Sequence, residues 1–146
     1  MFRGNHPTRV DEKGRLKVPA DFKRLIDEKY GERFYITSTD GRIARIYPME
    51  EWERLEEKLA RLSNFNPTKR KFLDRANYYG QAVEMDNQGR VLMPALLRDA
   101  AQLKGEVAVL GHLDHLQVRN AEDFRKEMEQ NPFTAEDEKT LDELGI

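Results

Sequence analysis

Val10-Asp11-Glu12-Lys13-Gly14-Arg15-Leu16-Lys17-Val18-Pro19-Ala20 returns later in the chain as Met85-Asp86-Asn87-Gln88-Gly89-Arg90-Val91-Leu92-Met93-Pro94-Ala95. Asp, Gly, Arg, Pro and Ala are identical in the two stretches, and Val10, Leu16 and Val18 are replaced by other apolar residues. An internal repeat in so short a chain marks a duplicated supersecondary unit. Asp at the first position and Gly at the fourth fit a type I turn. The carboxylate accepts from the turn's own backbone, and glycine takes the left-handed conformation that follows. Thr8 and Val10 before the turn, and Leu16 and Val18 after it, alternate with polar residues, which predicts a hairpin with one buried face.

Outward from each hairpin the pattern changes period. Pro19 and Pro94 stand where a helix can start without losing a hydrogen bond. Phe22, Leu25 and Ile26 give the first helix an apolar face, as Leu96, Leu97, Ala100 and Leu103 do in the second copy; Gly31 and Gly105 are expected to end these helices. A second strand pair follows in each copy. Arg33 to Ser38 pairs with Arg42 to Tyr47, and Glu106 to Leu110 pairs with His115 to Arg119. Tyr35-Ile36-Thr37 corresponds to Ala108-Val109-Leu110 or its neighbours, the register there being loose, and Tyr47 to Trp52 parallels Arg119 to Phe124. The offset between copies therefore falls from 75 to 72 residues. Trp52, Leu55, Leu59 and Leu62 recur at helical steps behind Pro48, Asn66-Pro67 breaks that helix, and another runs on from Thr68. Thr134 to Asp137 opens a last short helix in the manner of a capping box.

The 146 residues contain no cysteine, which excludes disulfides and thiolate metal sites, and no apolar run long enough for a membrane span. The net charge is only −2, but it is unevenly placed. Arg3, Arg9, Lys13, Arg15 and Lys17 crowd the first twenty residues, whereas acidic residues dominate from Glu122 onward. Such polarity marks a basic working surface at one end and a solvated acidic tail at the other.

Two Asp-x-x-x-Arg elements on duplicated hairpins, with Phe2-Arg3-Gly4 at the start and Tyr78-Tyr79-Gly80 before the second copy, resemble the MraZ family over the chain to about Phe124. That family is similar to AbrB- and SpoVT-type regulators. The resemblance implies an α+β fold: a swapped-hairpin, double-split β-barrel made as an intrachain pseudo-dimer of two AbrB-like repeats, with amphipathic helices. On this reading residues 1–52 are the first repeat, 53–79 a helical connector, 80–124 the second repeat and 125–146 an acidic tail. The resemblance further implies a cytoplasmic, nucleoid-associated regulator. It would assemble as a homo-oligomeric ring and bind short repeated boxes in double-stranded DNA upstream of the division and cell-wall genes.

The residues themselves point to the same chemistry. A basic β-hairpin can enter the major groove, where arginine reads guanine O6 and N7, while surrounding cations neutralise phosphates. At the repeat offset Arg9 becomes Glu84, Lys13 becomes Gln88 and Lys17 becomes Leu92, so the first hairpin is the expected reader. Arg3, Arg9, Lys13, Arg15 and Lys17 are the candidate DNA contacts; Asp11, Gly14, Asp86, Gly89 and Arg90 are assigned to turn architecture. The simpler reading of each Asp–Arg pair is an ion pair across its own turn. The chain lacks the nucleophile and phosphate-loop motifs of an enzyme. His112-Leu113-Asp114-His115 reads as a polar turn, and no metal, cofactor or small-molecule substrate is expected. The competing function is an antitoxin-like protein-interaction module without direct DNA readout.

Overall fold

The duplicated hairpins close on themselves only at their tips. In the structure, a computed structural model that describes all 146 residues, β1 (Asn5–Val10) meets β2 (Arg15–Lys17) at one ladder pair, Val10 with Leu16. Helix α1 (Ala20–Lys29), β3 (Arg33–Thr37), β4 (Ala44–Pro48), α2 (Met49–Ala60) and α3 (Pro67–Tyr79) complete the first half. The second half repeats the order: β5 (Gln81–Glu84), β6 (Arg90–Leu92), α4 (Ala95–Ala101), β7 (Gly105–His112), β8 (His115–Asn120), α5 (Ala121–Gln130) and α6 (Ala135–Glu143).

All eight strands form one antiparallel sheet in the order β5-β3-β4-β8-β7-β1-β2-β6. Its end strands β5 and β6 belong to the second hairpin, whose tip bond from Asp86 N–H to the Arg90 carbonyl makes the sheet a nearly closed barrel. The hairpins are swapped: β1 lies on β7 of the other copy, β5 lies on β3, and β2 pairs with β6. This is the expected α+β swapped-hairpin barrel.

The register supplies the symmetry. Arg15 opposes Leu92 and Lys17 opposes Arg90 on either side of the central pair Leu16–Val91. Across the barrel, Ala44–Val118 and Ile46–Leu116 flank Arg45–Gln117. A pseudo-two-fold axis therefore runs through both ladders. Thr8 opposes Val107 as Val83 opposes Phe34, so Phe34 and Val107 are equivalent. The three residues missing from the second copy are thus lost in two places, two before β7 and one in the β7–β8 hairpin.

Both copies feed one core. Phe2, Leu16, Ile26, Phe34, Ile36 and Ile46 pack with Val91, Met93, Leu97, Leu103 and Leu116, all essentially inaccessible. Alternation along each strand sends these residues inward and their charged neighbours out. A smaller aromatic cluster lies outside the sheet, where Trp52 of α2 stacks on Tyr35 at 4.6 Å and approaches Tyr47 and Phe72.

The helices end differently from the sequence expectation. Helix α1 stops at Lys29 with extended Tyr30 as its cap, before Gly31. Helix α4 ends on Gln102, which itself takes the left-handed conformation at φ +55°. Gly105 instead begins β7 at φ +67°. Leu97 and Ala101, not Leu96 and Ala100, carry the buried face of α4, because its short helix begins one residue after Pro94 and turns that row inward.

Candidate nucleic-acid interface

The two hairpin tips are built alike. Asp11 Oδ1 accepts from the N–H groups of Lys13 and Arg15 at 3.0 and 2.9 Å, and Oδ2 accepts from Arg15 Nε at 2.8 Å. Asp86 repeats the set with Gln88 N–H at 2.9 Å, Arg90 N–H at 3.0 Å and Arg90 Nε at 3.1 Å. Gly14 at φ +85° and Gly89 at φ +74° carry the left-handed residue of each turn. A methyl group on Gly14 would also collide with the Arg98 guanidinium, and one on Gly89 would press on the Lys23 stem at 3.1 Å. Lys23 and Arg98 occupy the same place in the two repeats, each against the other copy's tip. They were not among the candidates. The available signal was a cation recurring at the same offset as the Asp-Gly-Arg set.

The backbone N–H of Arg15 is the largest influence holding the Asp11 carboxyl below its ordinary value, and that of Arg90 does the same for Asp86. Since the folded state depresses both, their contribution to stability is complete above the unfolded value of 3.8 and disappears as pH falls through the lower folded value. Carbon-detected titration of the two carboxyls is expected to place both midpoints under 3.8; midpoints at or above it would remove this account of the tips.

The outer face of the β2–β6 ladder carries Arg15, Lys17, Arg90 and Leu92, with Arg15 diagonal to Arg90 across the pseudo-two-fold. Only Nε of each arginine is bonded, so both guanidiniums keep their terminal nitrogens free of protein partners. The Lys17 ammonium bonds the Gln88 carbonyl of the opposite tip. Lys13 has no side-chain partner. Arg9, one residue before the Val10–Leu16 pair, opposes Glu106 across the β1–β7 ladder at 3.6 Å. Its counterpart Glu84 opposes Arg33. The lost cation at Glu84 is therefore a charge inversion within an equivalent cross-strand pair. Four of the five candidates gather at the tips with Arg90. Arg3 does not: beside the bridge from Phe2 to Leu113, it lies at the far end of β1, ~20 Å from Arg9 by strand rise.

On the opposite side of the barrel, His115 stacks on Tyr47 at 4.5 Å and its Nδ1 lies 2.9 Å from Asp114. Burial pulls His112 and His115 below the usual imidazole range. This pair packs the β7–β8 hairpin end, well away from the tips.

Swapped hairpins, a pseudo-two-fold and a basic outer ladder define an AbrB-like double-hairpin barrel. The family profile described as "MraZ protein, putative antitoxin-like" matches residues 1–75 and 80–144. The chain belongs to the MraZ family, a family of transcriptional regulators and not of enzymes. Proteins named transcriptional regulator MraZ from Acidobacterium capsulatum and Koribacter versatilis are 64% and 66% identical to it, each over the whole of both chains. One of the same name from Thiobacillus denitrificans is 36% identical over 82% of this chain and 81% of its own. No helix is long and apolar enough to cross a membrane.

Proposed function

We propose that this chain regulates transcription by binding double-stranded DNA through the outer face of its β2–β6 ladder and the two tips beside it. One observation carries the reading: two equivalent arginines, Arg15 and Arg90, each fixed at Nε by its own aspartate, point unbonded terminal nitrogens outward from adjacent strands. A guanidinium held in this way has already lost part of its rotamer freedom and keeps the fork that matches guanine O6 and N7. Arg9, Lys13 and Lys17 lie alongside to meet phosphates, which sets register and gives salt-dependent affinity.

The tips are alike in geometry and unlike in charge. Lys13 flanks the first tip, beside Glu12, and Gln88 the second, where Lys17 bonds the Gln88 carbonyl and Lys23 lies against Gly89, so the choice of the first tip as the stronger reader rests on Lys13 alone. Arg90→Ala is expected to weaken binding less than Arg15→Ala in a direct titration, and equal losses would refute this division of labour. One tip covers few base pairs. Binding to repeated boxes in a promoter then requires several copies, and a homo-oligomeric ring engaging them together raises affinity through effective concentration. Cytoplasmic localisation on the nucleoid follows from that role, with the promoter of the division and cell-wall genes as the site the family resemblance implies.

The test is fluorescence anisotropy with DNA from upstream of this chain's own gene, across salt concentrations. Affinity should fall steeply as salt rises. A flat response would remove the phosphate contacts and favour the second reading, an antitoxin-like interaction module, which the family's description supports.

A further inference from the structure

Helix α6 belongs to nothing in its own chain. Residues 131–146 are exposed except for half-buried Leu141, and every hydrogen bond of 134–146 stays within that segment. The pseudo-two-fold shows what is missing. In the first copy α2 is followed by α3, which lies on the sheet with Ala76 buried and its carbonyl accepting from Thr37 Oγ1 at 2.6 Å. In the second copy α5 is followed by α6, which buries no residue.

The charges of the two helices are opposite. Helix α3 carries Lys69, Arg70, Lys71 and Arg75 against Asp74; α6 carries Glu136, Asp137, Glu138, Asp142 and Glu143 against Lys139. Each also has one end whose charges oppose its dipole, Lys69 and Arg70 at the start of α3 and Asp142 and Glu143 at the end of α6, while Glu136, Asp137 and Glu138 suit the start of α6. Helix α3 has no acid in its first turn and α6 no base in its last, the ends where those charges would stabilise it. An antiparallel partner of opposite charge offsets both deficits.

A groove for such a partner exists on α3. Thr68, Lys71, Phe72 and Arg75 form one helical row, i, i+3, i+4 and i+7, that faces Thr39 and Asp40 across an open pocket of about 440 Å³. Phe72 is its apolar floor. Lys71 and Arg75 form no ion pair, whereas Lys69 turns inward to the Leu62 carbonyl and Asn64. Asp40 is already engaged by the N–H groups of Arg42 and Ile43. On α6, Glu138 and Asp142 stand four residues apart, the spacing of Lys71 and Arg75, and bracket Leu141.

We propose that α6 of one copy of this chain docks antiparallel on α3 of a second copy, with Leu141 over Phe72, Glu138 against Arg75 and Asp142 against Lys71. The contact joins two different surfaces, so it propagates head to tail and closes only as a ring. It rests on the self-association part of the proposed function and not on DNA readout.

A charge swap tests it, read by sedimentation velocity on the full-length chain, with circular dichroism to show that each variant is folded. The parent is expected to associate as concentration rises. Lys71→Glu with Arg75→Glu should weaken association at least tenfold, as should Glu138→Lys with Asp142→Lys. An equimolar mixture of the two variants should recover it, because each then meets its complement. A monomeric parent would overturn self-association and this contact together. A parent that associates alongside variants that do so equally well would overturn the contact alone. Recovery only when all four changes share one chain would place α6 on its own α3 and overturn the proposal. Loss of DNA affinity with unchanged assembly in Lys71→Glu/Arg75→Glu would assign the groove to nucleic acid and overturn it as well.

Discussion

Arg15→Ala is expected to abolish specific DNA binding while leaving the barrel and its assembly intact. A good bidentate arginine–guanine contact is worth about 1–3 kcal/mol, and an assembly that uses the same arginine in several subunits loses that amount at each site. Two engaged subunits already give a loss of roughly a thousandfold at the centre of that range. The fold should tolerate the change. The Arg15 side chain is about one-third exposed, and Asp11 retains the backbone N–H groups of Lys13 and Arg15 that hold the turn. Anisotropy against the upstream DNA at moderate salt reads the affinity, and sedimentation reads the assembly. A variant that binds as tightly as the parent would show that the first tip is not the reader.

Phe34→Ala is expected to be the most damaging single core truncation, lowering stability by about 3–5 kcal/mol. Phe34 is 1% exposed on β3, with Pro48 of its own copy on one side and Val83 of the other copy on the opposite side. The cavity therefore opens where the halves join. A chain of this size has a total stability of about 5–15 kcal/mol, so much of the margin disappears. Because the hairpins are exchanged, neither copy can melt alone. Thermal unfolding followed by circular dichroism and by Trp52 fluorescence should give one coincident transition, lowered by about 10 °C or more. Two separated transitions would mean that the copies are independent domains.

The local pieces of this molecule were legible because their causes are local. Asp11 to Arg15 and Asp86 to Arg90 announce turns through side-chain acceptors and left-handed glycines, both confined to five residues. Pro48 and Asn66-Pro67 mark helix starts for the same reason, and α2 and α3 begin there. The helix ends do not fall at Gly31 and Gly105. Gln102 can adopt φ +55° because its side chain bonds the Asp99 carbonyl at 2.9 Å, which makes glycine unnecessary.

Charge was legible as composition and not as arrangement. Five cations near the N-terminus looked like one patch, but a strand's length removes Arg3 from it, and Arg9 turned out to have an acid across the ladder. The inversion that makes Arg9–Glu106 equivalent to Glu84–Arg33 pairs residues nearly one hundred positions apart in one case and fifty-one in the other. Only a register can bring such residues together.

The sequence by itself determined the repeat, the alternation that gives each hairpin a buried face, the tip chemistry and the family. The residue pattern did not say which strand each hairpin would join; the family resemblance implied the exchange, and the tertiary structure gives its partners and register. The alternation of Thr8, Val10, Leu16 and Val18 satisfies a hairpin folded on its own copy as well as one exchanged with the other, since both bury the same face. Exchange prevails in the whole assembly, where β1 on β7, β5 on β3 and β2 on β6 leave a single shared core. It also sets Arg15 and Arg90 on neighbouring strands, a juxtaposition that neither repeat encodes within itself.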